Sequence, residues 1–439
     1  MIPAYERGRD FSPLSVKKAE GCYFWDNKGK RYLDFSSQSS NVNVGHGRAE
    51  IVRAIARQSK VLSYVSPLMW TEAESEFLSK LFELLPSALM KCGLFSSGSE
   101  AVEAAVKIAK QYTGGFKLIS RWNAYHGATS ACTSLTGFAQ RRTPFEPLLP
   151  GVIFVPPPYC YRCMFGLKYP DCAIRCVEYI RSVILAEGGS ERVAAVIAEP
   201  IMAPGGVIIP PKEYWPRLRE ITAKHHVLLI ADEAITGFGR TGKWFAFQHW
   251  NVVPDILILA KGITSGYMPL SATVVNKEIA GYFEDEPFMH FHTTGGLPIS
   301  CAAASANIDV LRDAKLIEHA AAMEKPLKEA IASLSERHKS IGEGRVFGLM
   351  AAIELVRNKD TKEPFGEEDL SFNYRKANRD HLVAERVVAE ALRHGVLMSA
   401  FKSANIIKIM PPLCVTEEQI AQGIGVLDPI LDKIDQMCA

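Results

Sequence analysis

The sequence predicts an α/β protein built on a mainly parallel sheet with helices on both faces. Two observations carry this. Short runs of Val, Ile, Leu and Ala recur between residues 152 and 275, and the gaps between them are long enough for helices. Within each run the apolar residues are consecutive and do not alternate, as expected of strands covered on both sides.

The elements follow in order. Residues 21–35 are strand-like, broken by a turn at Asp26-Asn27-Lys28-Gly29. A helix is expected over 99–112, then strands near 116–120 and at 152–155, 194–198, 227–231, 256–260 and 272–275. A helical pattern fills 212–225. From about residue 315 the pattern becomes helix, strand, helix, strand, helix, which reads as a separate α+β lobe. The expected division is an N-terminal segment of the small lobe (1–60), a large domain (61–315) and a C-terminal small domain (316–439). The charged stretch 358–369 reads as a solvated loop. Ligands of such a sheet gather where the strands' carboxyl ends open into loops.

Composition narrows the function. The chain has 439 residues, 48% hydrophobic and 22% charged, enough for one large core with a smaller lobe beside it. Lys and Arg total 50 against 48 Asp and Glu, a balance of +2 without a basic run, which argues against nucleic acid or a membrane as partner. The longest apolar runs are too short to span a bilayer, and MIPAYERGRD lacks the apolar stretch of a signal peptide. The expected compartment is the cytoplasm. Ten cysteines in such a chain read as mostly free thiols.

Three segments carry chemistry. Phe95-Ser96-Ser97-Gly98-Ser99-Glu100-Ala101 opens a helix. Gly98 permits close backbone approach and Ser99 offers a hydroxyl beside unpaired N–H groups, a site suited to a phosphate. A plain N-cap is the simpler alternative. The strand 227–231 runs into Asp232-Glu233, where metal ligand, general base and partner of a ring nitrogen all remain open. The strand 256–260 ends in Lys261-Gly262. To attack an aldehyde this lysine must shed a proton despite a reference pKa of about 10.4, and desolvation would help. Taken together, the order is phosphate cradle, aspartate, then lysine 29 residues later. Pyridoxal 5'-phosphate (PLP) asks for these three things: N–H donors for its phosphate, an anion for its ring nitrogen and an amine for its aldehyde.

These residues lie in longer motifs: SSGSEA at 96–101, YHG at 125–127, EP at 199–200, ADEAITGFGRTG at 231–242, AKGITSGYMPL at 260–270 and PPL at 411–413. With them the sequence resembles the class-III aminotransferases of PLP fold type I over essentially its full length. The resemblance implies a seven-stranded type of sheet sandwiched by helices, with a smaller α+β lobe drawn from both termini. It gives Gly98 and Ser99 the cofactor phosphate, Tyr125 and His126 the ring, Asp232 the ring nitrogen and Ala234 the ring's other face. Lys261 becomes the covalent attachment point and the proton carrier. His-Thr-Thr-Gly-Gly-Leu-Pro at 292–298 resembles a loop whose threonine, here Thr293, reaches the phosphate of the partner subunit. A homodimer with shared sites is implied, open to further pairing into a tetramer.

The stretch 23–46 resembles the branch containing taurine, β-alanine and 4-aminobutyrate transaminases. The implied reaction moves an amino group from an ω-amino acid or amine to pyruvate or 2-oxoglutarate. Racemisation, decarboxylation or phosphate elimination on the same scaffold is the alternative. A non-catalytic docking protein is a third reading, opposed by intact Lys261, Asp232 and Tyr125.

The chain also departs from the family pattern. Many relatives carry an arginine shortly before PPL, where Lys408 stands here; amine-type relatives use one after a G-V-x-x stretch, where Ser399 stands. Lysine offers a point charge without the planar fork. Glu199 is a candidate partner for Lys408. Arg240 reads as structural and Trp70 as a candidate for the substrate entrance. Cys160, Cys163, Cys172 and Cys176 read as reduced thiols, with a four-thiolate zinc site as the alternative; no metal is expected in the chemistry.

Overall fold

The computed structural model describes residues 12–366, 382–401 and 404–438. The N-terminal decapeptide and residues 367–369 of the charged stretch lie outside them. The chain opens with three short strands, β1 (Val16–Glu20), β2 (Tyr23–Asp26) and β3 (Arg31–Asp34), with the turn at Asp26–Gly29 between the last two. Seven strands then build the large sheet: β4 (Leu89–Phe95), β5 (Lys117–Arg121), β6 (Val152–Val155), β7 (Val193–Ala198), β8 (Leu228–Asp232), β9 (Ile256–Leu259) and β10 (Ser271–Asn276). Their order is β4-β10-β9-β8-β7-β5-β6. All neighbours pair parallel except β10, which is antiparallel to both β4 and β9.

Every residue of β7, β8 and β9 is buried, as the unbroken apolar runs predict. Alternate side chains enter different cores. Val196, Ala198, Leu229, Ala231, Leu257 and Leu259 pack on one face, and Ala195, Ile197, Leu228, Ile230, Ile256 and Ile258 on the other. The second face is covered by the helix Gly98–Thr113, whose buried alanines, 101, 104, 105 and 109, allow a close approach to the sheet.

The remaining strands are β11 (Ile341–Phe347), β12 (Met350–Leu355), β13 (Val396–Leu397), β14 (Ser399–Phe401) and β15 (Ile406–Ile409). Four of them form an antiparallel sheet in the order β11-β12-β15-β14. β13 instead adds to the N-terminal strands, pairing parallel with β3 through Val396↔Leu33 and Leu397↔Asp34. The two ends of the chain thus share one sheet. A second tie is Arg240, fully buried, whose guanidinium donates to the Ser37 hydroxyl (3.1 Å), Asn43 Oδ1 (2.9 Å) and the carbonyl of Pro411.

The structure adds strands that periodicity did not predict. β4 reads LMKCGLF, and its Lys91 and Gly93 interrupt the apolar run because it lies at a sheet edge with exposed positions. In the C-terminal lobe a hairpin, β11–β12, stands where a single strand was expected.

Candidate active site

The carboxyl ends of β8 and β9 open into a cavity of about 660 Å³. Asp232 is the last residue of β8 and lines it, whereas Glu233, one residue on, does not. Glu233 is fully buried and accepts from the N–H groups of Ala246 and Phe247 (2.7 Å each) and from the Thr236 hydroxyl (3.0 Å). Burial pushes it up to about 7 against those three donors. The open choice between the two carboxylates is thereby narrowed: one has its donors within the fold, the other faces the cavity.

Asp232 Oδ2 lies 2.7 Å from His126 Nδ1, and Oδ1 accepts from the Ala234 N–H at 3.1 Å. A buried carboxylate with two such partners still has lone pairs for a third donor. His126 is 3% exposed and its Nε2 meets no hydrogen-bond partner.

Lys261 follows β9 in a short 3₁₀ turn and adopts φ +43°, which re-aims the chain at the strand's end. Its Nζ donates to the Ser39 carbonyl at 3.2 Å. Gly262 is required next to it, since a Cβ there would lie 2.5 Å from Asn43 Nδ2 and 2.9 Å from Phe238 Cβ. Burial pushes Lys261 down to about 8, although Asp232 and Glu199 both favour its charged form.

At the start of the helix Gly98–Thr113 it is Ser97, not Ser99, that caps. Its hydroxyl accepts from the Glu100 N–H, and the Glu100 carboxylate takes the N–H of Ser97 (2.9 Å) and Ser96 (3.0 Å). Among the described residues the N–H groups of Gly98 and Ser99 meet no acceptor, and both residues line the cavity. A Cβ on Gly98 would sit 3.3 Å from Ala260 Cβ, so the cradle admits a ligand only against bare backbone. Two unpaired N–H groups at a helix start suit a phosphate. With the cavity-facing Asp232 carboxylate and the partly neutral Lys261 amine, they fit all three demands of PLP.

Tyr125 and Ala234 also line the cavity, as does Glu199, which accepts from the Tyr125 N–H at 3.1 Å and is pushed up to about 7 by burial. Lys408, on β15, is pushed down to about 8, first by burial and then by Lys261 and Arg141. Thr293 is exposed on a loop whose neighbours His292 and Thr294 both reach the Ser96 hydroxyl, at 3.0 and 2.8 Å. Trp70 is 68% exposed, bonded to Ser75, and does not line the cavity. The four cysteines between 160 and 176 are unbridged thiols.

Sequence reasoning missed two contributions. One is the N-terminal segment, whose Gln38, Ser39 and Asn41 line the cavity; a backbone carbonyl such as that of Ser39 leaves no signature in a sequence. The other is Arg141, which does not line the cavity but sets its guanidinium 4.7 Å over the ring of Tyr125 in the cavity wall.

Comparison with known proteins agrees with this geometry. The sequence profile of the family "Aminotransferase class-III" matches residues 4–431. A putrescine–pyruvate aminotransferase of Pseudomonas aeruginosa is 36% identical over 428 residues, covering 95% of this chain and 90% of that protein. A taurine–pyruvate aminotransferase of Bilophila wadsworthia is 36% identical over 449 residues, covering 98% and 94%. An amine transaminase from an uncultivated Pseudomonas species, solved in its PLP-bound form, superposes with a TM-score of 0.90 at 34% identity, covering 98% and 97%. No helix of the described residues is long and apolar enough to cross a membrane. With profile, relatives and strand-end chemistry in agreement, the chain belongs to the class-III aminotransferases and is a PLP-dependent enzyme acting on an amino donor and a 2-oxo acid.

Proposed function

We propose that the protein moves an amino group from an amine or ω-amino acid, of the putrescine, taurine, β-alanine or 4-aminobutyrate type, to pyruvate or 2-oxoglutarate. The observation that carries this reading is that Lys261 and Asp232, at the tips of adjacent strands, open onto one cavity with two unpaired backbone N–H groups. The donor class rests on the relatives above and on the lack of an arginine before Pro411 or after Gly395-Val396.

When bound, PLP supplies an aldehyde to receive the amino group and a ring to take up the electrons left by a departing proton. The chain's residues do the rest. The N–H groups of Gly98 and Ser99 hold the phosphate, and Tyr125 and Ala234 flank the ring. Asp232 accepts from the ring nitrogen, with His126 orienting the carboxylate. Lys261 Nζ, kept partly unprotonated by burial, carries a proton to and from the carbon bearing the amino group. Glu199 offsets the charge of Lys408 while a donor without an α-carboxylate is bound.

The same reading assigns a cytoplasmic homodimer, with Thr293 reaching the partner's phosphate and Trp70 at the entrance. It is supported by exposed apolar side chains, including Leu68, Met69, Met289 and Phe291, which a second copy would cover. The division into 1–60, 61–315 and 316–439 belongs to this proposal too.

A panel of amines and ω-amino acids with pyruvate or 2-oxoglutarate tests the function. Accumulation of alanine or glutamate is the expected result. Conversion of an amino acid to its mirror image without any keto acid would overturn it in favour of racemisation.

A further inference from the structure

The chemistry above uses none of the ten cysteines, and two of them touch. Cys22 stands just before β2 and Cys414 just after the PPL motif, 392 residues apart in sequence, yet their sulfurs lie 3.5 Å apart. Backbone hydrogen bonds fix both positions. The Cys22 carbonyl accepts from the Asp34 N–H at 2.8 Å, and Leu413, beside Cys414, donates to the Asn43 carbonyl at 2.7 Å. Gly45, at φ +87°, backs the slot: a Cβ there would lie 2.8 Å from Cys414 Sγ.

The two thiols are unequal. Cys22 is 3% exposed, whereas Cys414 is half-buried, so a small solute meets Cys414 first. The hydrogen bond from Cys22, followed by the Arg48 guanidinium, holds Cys414 below the ordinary thiol range against the effect of burial. Burial pushes Cys92, Cys132 and Cys301 the other way. A partly exposed thiolate beside an arginine, with a second thiol in contact, is the arrangement that turns peroxide oxidation into a disulfide.

We propose that Cys414 and Cys22 form a reversible modification site, in which a hydroperoxide joins them as a disulfide and a dithiol parts them again. The Cys414 thiolate attacks one peroxide oxygen and the O–O bond breaks, leaving a sulfenic acid and an alcohol or water once the departing oxygen takes up a proton. The Cys22 sulfur then attacks the Cys414 sulfur, and its proton leaves with the hydroxyl as water. Two thiols have lost two electrons and the peroxide has gained them. A disulfide is about 2.05 Å long, so the sulfurs approach by about 1.5 Å, which side-chain rotation supplies. The bond ties the segment ahead of β2 to the one after β15. Shortly beyond Cys22 come Gln38, Ser39 and Asn41 of the cavity wall, with the carbonyl that receives Lys261.

The test treats the PLP-loaded enzyme with hydrogen peroxide, blocks the remaining thiols and maps the digest by mass spectrometry. A peptide pair joining Cys22 to Cys414 is expected, and dithiothreitol should abolish it. In Cys22→Ser the pair should vanish, and Cys414 should accumulate as a sulfenic acid that dimedone traps. Closing so long a loop should raise the thermal midpoint of the oxidised enzyme by about 3 °C or more, with no such rise in Cys22→Ser. Oxidation confined to the cysteines between 160 and 176, with Cys22 and Cys414 still alkylatable, would overturn the assignment. A joined pair without a higher midpoint would overturn the fastening. Equal trapping of sulfenic acid at Cys414 with and without Cys22 would remove Cys22 as the resolving thiol.

Discussion

Two walls of one cavity were built by different means. The floor, Asp232 and Lys261, sits on the tips of β8 and β9, strands buried on both faces and held by the whole large sheet. The facing wall takes Glu199 and Ile201 from the loop after β7 and Gln38, Ser39 and Asn41 from the N-terminal segment. The floor carries the two groups proposed for the chemistry, and such groups need rigid placement.

The contrast can be broken most severely at the floor. Lys261→Ala should abolish turnover, a loss beyond the ~10²–10⁴-fold expected of a general acid–base group alone, because the attachment point goes too. The variant should lack the absorbance near about 410–430 nm of a lysine-bound cofactor. Retained activity would remove Lys261 from the chemistry.

The adjacent carboxylates sharpen it next. Asp232→Asn should lower turnover about 10²–10³-fold, since an amide cannot hold a protonated ring nitrogen as an anion does. Its thermal midpoint should stay near that of the unmodified protein. Glu233→Gln should do the reverse: the amide nitrogen must face a backbone N–H of Ala246 or Phe247, costing about 1–3 kcal/mol in a denaturant titration. Turnover should remain within about threefold. If both variants behave alike, the division between a cavity-facing and a structural carboxylate fails.

The smallest effect concerns pH. Lys261 has a pKa lowered to about 8, so its amine is charged below that pH and free above it. PLP uptake by cofactor-free protein should accelerate about tenfold per pH unit up to roughly 8 and then level off. At pH 7 the reactive fraction is about 300-fold that of an ordinary lysine at 10.5. A rate still climbing at pH 10, followed by absorbance, would show that burial does not tune this amine.

The same contrast explains what could be read from sequence. β7, β8 and β9 were legible because each is an unbroken apolar run, and Asp232 and Lys261 stood out as the polar ends of two of them. β4 was not, because an edge strand tolerates Lys91 and Gly93. At the start of the helix Gly98–Thr113 the sequence located the loop but not which serine caps; Ser97 does, and among the described residues the next two N–H groups stay open. Arg141 had no signature at all. Its ring partner Tyr125 lies in a preceding loop, and Phe401, which braces Phe138, arrives from the other lobe. Such proximity is decided by packing, to which local periodicity is blind.

The buried Arg240 has a consequence for biosynthesis. It fastens Asn43, whose segment gives Lys261 its Ser39 carbonyl, to Pro411, which is far along the chain. A ribosome adding about 5–20 residues per second emits Lys261 roughly 8–30 s before Pro411. Through that interval the nascent chain carries the reactive amine without its finished enclosure. Stable capture of the cofactor is therefore expected only once Pro411 has joined the fold.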